Sequence, residues 1–311
     1  MKKSNLPAPL TGSVPPIVTP MKSRDVLDVP GLERLVERLI TGGVSAIFVL
    51  GTTGEGPALS NRLKREMVER TCRFAKGRVP VLVGITDPAF VEAVDLARFA
   101  ADAGADAVVS AGPFYFPVSQ PELERYVNEL LVESPLPLML YNMPGLTKVT
   151  FGVDTVRRLM QSKKVIGIKD SSGDMAYVQQ ILRRAKKRKD FTVLIGPETL
   201  TAEAVLMGAH GGVSGGAMLD PQLYTDLCAA ALAKDYPHTV ALHQKVMDLT
   251  TRIYHQGFYS MPINRNIKCA LSLMGICDDF VCEPFQSCDK SERKVLEKEL
   301  FEFGLLRRKK W

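Results

Sequence analysis

Signatures of bound metal and of structural disulfides are missing from this chain of 311 residues. Its six cysteines, Cys72, Cys228, Cys269, Cys277, Cys282 and Cys288, contain no C-x-x-C pair, and its four histidines have no ligand spacing near them. A zinc finger or redox dithiol is therefore not expected, and free, reduced thiols are. Zinc or a disulfide at Cys277, Cys282 and Cys288 is a minor alternative to ordinary packing. Long hydrophobic runs are missing too: none approaches the roughly 18 apolar residues of a membrane-spanning helix. The opening M-K-K-S-N-L-P-A-P-L carries charge without an apolar stretch, so a cytoplasmic protein with no membrane partner is expected. The net charge of +6 is matched by the six cations of R-R-A-K-K-R-K at 183 to 189. No aromatic residue is interleaved there, and the run reads as the solvated face of a helix, not as a nucleic-acid surface. The C-terminal R-R-K-K-W reads the same way.

What the chain has is a core and a repeating pattern. At 46% hydrophobic and 24% charged residues it is an ordinary globular sequence. Eight short apolar runs begin at residues 14, 46, 79, 107, 137, 165, 191 and 211. Between them lie stretches of helical periodicity, such as Leu32, Leu35, Val36 and Leu39, or Val91, Val94, Ala97 and Phe99. Starts about 20–33 residues apart suit a strand, a crossover helix and two loops, so the sheet is parallel. Eight uninterrupted units fit a closed (β/α)8 TIM barrel, and no G-x-G-x-x-G follows the first strand to bind a dinucleotide. Ser60, Asp87-Pro88 and Asp220-Pro221 are expected helix starts. The barrel is expected over 1–235, and a C-terminal helical region packed on it over 236–311.

In V-I-G-I-K-D, residues 165 to 170, a buried strand ends on Lys169. An ammonium there must snorkel to water, find a counter-charge or give up its proton, and the last makes a nucleophile. The active face of such a barrel is the one where strands end. Thr52 and Thr53 end strand two, Tyr115 strand four, Tyr141 strand five and Glu198 strand seven. Singly, each has a plainer explanation: turn caps, packed aromatics, or a Lys169–Asp170 pair. Together, an amine and a phenol at one mouth make a Schiff-base constellation.

G-T-T-G-E, Y-N-M-P and G-I-K-D, in that order at the ends of strands two, five and six, resemble the dihydrodipicolinate synthase and N-acetylneuraminate lyase family of pyruvate-dependent class I aldolases. T-G-S-V-P-P-I-V-T-P-M at 11 to 21 and P-F-Y-F-P at 113 to 117 match as well. The resemblance implies that Lys169 forms the imine and Tyr141 shuttles protons, while Thr52 and Thr53 hold the pyruvate carboxylate. It also implies that Tyr115 reaches across a dimer interface within a homotetramer. Gly51, Gly196, Glu198, Val213, Ser214 and Leu146 are expected to line the substrate. Partners are then a 2-oxo acid and an aldehyde, and no metal or other cofactor is required.

Within the family, synthases using aspartate semialdehyde usually carry an arginine just after Y-N-M-P to grip a second carboxylate. Leu146 stands there, and Gly-Leu-Thr looks more like the sialic acid lyases, so an aldolase or lyase of that kind is the leading expectation. Its polyol grip is incomplete: Glu198 is followed by Thr199, and Gly215 replaces a serine. A dihydrodipicolinate synthase is the alternative. A reading from a different class takes the glycine-rich turns at 51 to 56 and 211 to 216 as anion cradles of a non-catalytic binding barrel.

Overall fold

Eight short parallel strands alternate with helices in the computed structural model, which describes residues 6–254 and 262–306. The strands are β1 (Gly12–Ser13), β2 (Ile47–Val49), β3 (Val81–Gly84), β4 (Ala107–Ala111), β5 (Leu138–Asn142), β6 (Val165–Asp170), β7 (Thr192–Ile195) and β8 (Gly211–Gly212). From β2 to β8 each is hydrogen-bonded to the next in sequence, and β8 pairs back onto β1. The circle closes where Pro16 bridges Phe48 in parallel and the Phe48 N–H donates to the Pro15 carbonyl. This is a (β/α)8 barrel with a C-terminal helical extension.

The first strand is shorter than the run V-P-P-I-V-T-P suggests, because Pro15, Pro16 and Pro20 have no amide hydrogen for a ladder. Pairing falls on Gly12–Ser13, just before it. The barrel helices are α1 (Val29–Thr41), α2 (Asn61–Ala75), α3 (Phe90–Asp102), α4 (Gln120–Glu133), α5 (Val153–Leu159), α6 (Met175–Ala185), α7 (Thr201–Leu206) and α8 (Pro221–Leu232). Ser60 and Asp220 cap α2 and α8 through the N–H groups of Leu63 and Leu223. Asp87 does not cap α3: it accepts from the Ala89 N–H and pairs with Lys64 at 3.6 Å. The buried stripe of α3 is Ala93, Val94, Ala97 and Ala100, whereas Val91 is exposed and Phe99 lies under the Arg65 guanidinium. In the basic run Arg188 turns inward, donating to the carbonyls of Met160 and Ser162, while its five cationic neighbours face solvent.

After α8 come α9 (Tyr236–Leu249), a π-helical turn over Thr250–Tyr254, α10 (Pro262–Leu273) and α11 (Lys290–Glu302). Leu249, Ile253, Ile267, Leu271, Leu296 and Leu300 join the same hydrophobic cluster that fills the space between strands and barrel helices. Among the described residues no helix is long and apolar enough to cross a membrane, and no group of three or more His, Cys, Asp or Glu is spaced to hold a metal. Cys277, Cys282 and Cys288 are buried free thiols.

The extension is clamped by Arg265 of α10, almost fully buried, whose fork meets Glu292 of α11 at 2.9 and 2.6 Å. Hydrogen bonding from Arg265 holds the Glu292 carboxyl below its ordinary value. A carboxylate whose folded pKa is depressed stabilises the fold above its unfolded pKa and loses that contribution as pH falls through the folded one. Glu292→Gln should therefore cost about 1–3 kcal/mol at pH 7. The gap to wild type in urea midpoint should close as pH drops below the ordinary carboxylate range, and a gap constant with pH would contradict the clamp.

Candidate active site

Alternate residues of a strand face opposite sides of the sheet. Phe48, Leu82, Val109, Met139, Tyr141, Leu194 and Val213 form the cluster inside the barrel, and Val49, Val83, Leu140, Ile168 and Ile195 face the helices. In V-I-G-I-K-D this alternation sends Asp170 outward with Ile168 and turns Lys169 inward. The Asp170 carboxylate accepts from Asn142 Nδ2 at 2.7 Å and from the Ser172 N–H and hydroxyl at 3.2 and 2.9 Å. Burial still pushes its pKa up. Its oxygens are committed on the far side of the strand, so the Lys169–Asp170 pair does not form.

Lys169 is only 5% exposed. Its Nζ lies 4.1 Å from the centre of the Tyr141 ring and 5.1 Å from that of Phe48, two rings set edge to face at 87°. Tyr141 is the register neighbour of Lys169 on β5, and its hydroxyl meets Thr52 Oγ1 at 3.2 Å. Burial pushes the Tyr141 phenol up, but the Lys169 charge and hydrogen bonds from Thr52, Ser171 and Lys169 outweigh it and leave the phenol below its ordinary value.

Thr52 and Thr53 sit in the turn after β2. The turn packs tightly: a Cβ on Gly54 would lie 2.8 Å from the Ile17 carbonyl oxygen, and Thr19 Oγ1 donates to the Gly54 carbonyl at 2.6 Å. Under Lys169, a Cβ on Gly167 would lie 2.4 Å from the Thr192 carbonyl oxygen, so glycine sets the close approach of β6 to β7.

A cavity of about 390 Å3 opens over Lys169, walled by Thr52, Thr53, Tyr141, Leu146, Ser171, Gly196, Thr199 and Val213. A second chamber of about 290 Å3 shares Thr52, Tyr141, Leu146 and Asn264 and adds Gly51, Phe48, Leu50, Val109 and Phe114. Among the described lining residues Lys169 is the only lysine or arginine in either chamber.

Of the expected lining residues Ser214 is placed differently, and Glu198 and Tyr115 have settings of their own. Glu198 borders the cavity, but its carboxylate accepts from Tyr224 and Thr250 hydroxyls on one oxygen (2.5 and 3.1 Å) and from the Tyr254 hydroxyl and Gly216 N–H on the other (3.2 and 3.1 Å). Burial raises its pKa, opposed by those bonds. Ser214 is buried with its hydroxyl close to Gly212 and is not part of the cavity wall. Tyr115 points away from this chain's cavity: it is 86% exposed, at φ +84°, with its ring against Phe116. Sequence reasoning missed Phe48, Ser171 and Asn264. Phe48 was available from the alternation along β2, and Ser171 from its place after Lys169. Asn264 comes from α10, far along the chain, and carried no signal.

A parallel barrel whose mouth holds a buried lysine amine against a phenol, with two threonines lining the same cavity, fits the class I, imine-forming type of aldolase. Comparison with known proteins agrees. A sequence profile of the Dihydrodipicolinate synthetase family matches residues 9–302. The chain is 33% identical to the 4-hydroxy-tetrahydrodipicolinate synthase of Aromatoleum aromaticum over 92% of its own length and 96% of the relative's. Its fold is similar to that of a dihydrodipicolinate synthase from Bacteroides thetaiotaomicron, with a TM-score of 0.93, 51% identity and coverage of 95% and 99% of the two chains. It is also similar to the chloride-inhibited Acinetobacter baumannii dihydrodipicolinate synthase complexed with pyruvate, at TM-score 0.88, 31% identity and coverage of 96% and 100%. The chain belongs to the dihydrodipicolinate synthetase family, and it is a carbon–carbon lyase of the pyruvate-dependent class I aldolase type.

Gly167→Ala should push β6 from β7 directly beneath the amine. Overpacking of this kind costs about 1–3 kcal/mol, to be read from urea unfolding; an unchanged midpoint would mean that the two strands tolerate a methyl group between them.

Proposed function

We propose that this chain condenses pyruvate with an aldehyde through an imine on Lys169, in the manner of a 4-hydroxy-tetrahydrodipicolinate synthase. The observation that carries the reading is the Lys169 amine, buried 4.1 Å above the ring of Tyr141. In the neutral form Lys169 Nζ attacks the ketone carbon of pyruvate. The Tyr141 hydroxyl delivers the proton with which the carbinolamine oxygen leaves as water. The protonated imine then draws electrons from the methyl carbon, which loses a proton to give an enamine. That carbon bonds to the aldehyde carbon, and hydrolysis returns the amine. Thr52 and Thr53 suit the pyruvate carboxylate as hydroxyl donors. Gly51, Gly196 and Val213 form nearby wall.

The expectation of a sialic-acid-lyase-like enzyme loses ground on geometry. A polyol grip would draw on Glu198 and on a serine after strand eight. Glu198 already serves four donors, Ser214 is turned away, and Gly215 stands at the wall. The synthase names of the curated relatives favour the same choice. As part of this proposal the enzyme is a cytoplasmic homotetramer in which the exposed Tyr115 joins the partner's site.

Pyruvate with borohydride should add one reduced pyruvyl group at Lys169, located by peptide mass analysis, and Lys169→Arg should take none because a guanidinium stays protonated. Label on another lysine, or none in folded protein, would refute the assignment.

One observation favours a second reading, an aldolase for an uncharged aldehyde. Leu146 occupies the mouth, and among the described lining residues of both chambers there is no guanidinium to meet the carboxylate of aspartate semialdehyde. Condensation of pyruvate with aspartate semialdehyde, N-acetylmannosamine and short sugar aldehydes separates the two. A kcat/KM for the semialdehyde well above all others supports the synthase; the reverse order supports the second reading.

A further inference from the structure

The turn that carries Thr52 and Thr53 is held from outside the barrel, by one face of α10. Two side chains one helical turn apart reach it. Asn264 Nδ2 donates to the Thr52 carbonyl at 3.0 Å. Lys268 Nζ lies 2.5 Å from Glu55 Oε1, an ion contact off the angle of a hydrogen bond, and donates to the Phe280 carbonyl at 2.8 Å. The other Glu55 oxygen accepts from the Cys282 N–H at 2.7 Å.

Both charges of this pair are withdrawn from water, with side-chain exposures of 0% for Lys268 and 1% for Glu55. Glu55 also sits at φ +57°, a left-handed backbone that a non-glycine residue adopts only when its surroundings hold it there. The same turn then meets the reacting groups, since Thr52 Oγ1 contacts the Tyr141 hydroxyl and the Tyr141 ring lies under Lys169 Nζ.

We infer that Lys268 and Asn264 are positioning residues of the reaction: α10 clasps the Gly51–Gly56 turn so that the Thr52 hydroxyl stays aligned with Tyr141 and the Lys169 amine. The inference rests on the reading that Lys169 forms the imine. An ion pair suits the task because it is strong only when complete. Removing one member strands a buried charge, while replacing both by neutral groups restores stability without restoring the contact. Stability and positioning can thus be separated by mutation.

The test measures borohydride trapping of pyruvate at Lys169 beside the thermal midpoint in four full-length proteins: wild type, Lys268→Met, Glu55→Gln/Lys268→Met and Asn264→Ala. Lys268→Met should lower both quantities. The double variant should recover most of the lost Tm yet trap pyruvate at least about 10-fold more slowly than wild type, as a displaced catalytic group does. Asn264→Ala, which strands no charge, should keep its Tm within a few degrees and also trap more slowly. Recovery of the trapping rate together with Tm in the double variant overturns the inference, as does wild-type trapping by Asn264→Ala. Should the double variant fail to fold, the Asn264→Ala result decides alone. If wild-type protein is not trapped at Lys169, the imine reading fails and this inference falls with it. If wild type is trapped and the variants trap equally fast, only the positioning role is lost.

Discussion

An amine enclosed by a barrel of apolar strands is the constraint around which this molecule is arranged. Lys169 reaches the interior because it falls on the inward beat of β6, where its nitrogen lies over the Tyr141 ring and near that of Phe48. Aromatic faces attract a cation, most strongly when it is shed of water, and they make no covalent demand on the same nitrogen when it is neutral. Tyr141 meets both needs, offering a ring below the nitrogen and a hydroxyl in a polar chain with Thr52.

The C-terminal helices close that polar chain rather than merely covering the barrel. Glu198 gathers donors from α8 and the π-helical turn, Asn264 and Lys268 tie α10 to the turn after β2, and Asn266 bonds the carbonyls of Ile253 and Tyr254. Most of these contacts join segments far apart in sequence, and they replace backbone or carboxylate contacts with water that burial has removed. The barrel mouth and the extension are one polar unit resting on one apolar cluster.

Much of this was legible in the sequence because it follows from local rules. The βα spacing and the buried runs give the barrel, and their strand ends place Tyr141 and Lys169 at its mouth; the inward turn of Lys169 depends on a register irregularity between β5 and β6 that no simple alternation shows. Local rules fail where side-chain direction depends on distant partners. Ser214 follows a strand only two residues long, so alternation had little to act on. Glu198 looked like a free acid because its donors, Tyr224, Thr250 and Tyr254, lie dozens of residues away. Val91 kept helical spacing but is exposed, and Phe99 only edges the core, while Ala93, Val94, Ala97 and Ala100 make the buried face of α3.

Leu146 rides on the short helical turn Pro144–Thr147, and that turn is secured without it. The Thr147 hydroxyl donates to the carbonyls of Met143 and Val149, backbone bonds tie Leu146 and Thr147 to Met143, and Leu146 itself is 46% exposed. A residue that faces the reacting chamber yet contributes little to folding is free to vary over evolutionary time. Side chains of other size or charge at this position would reshape the cavity wall while the amine and its barrel keep their packing.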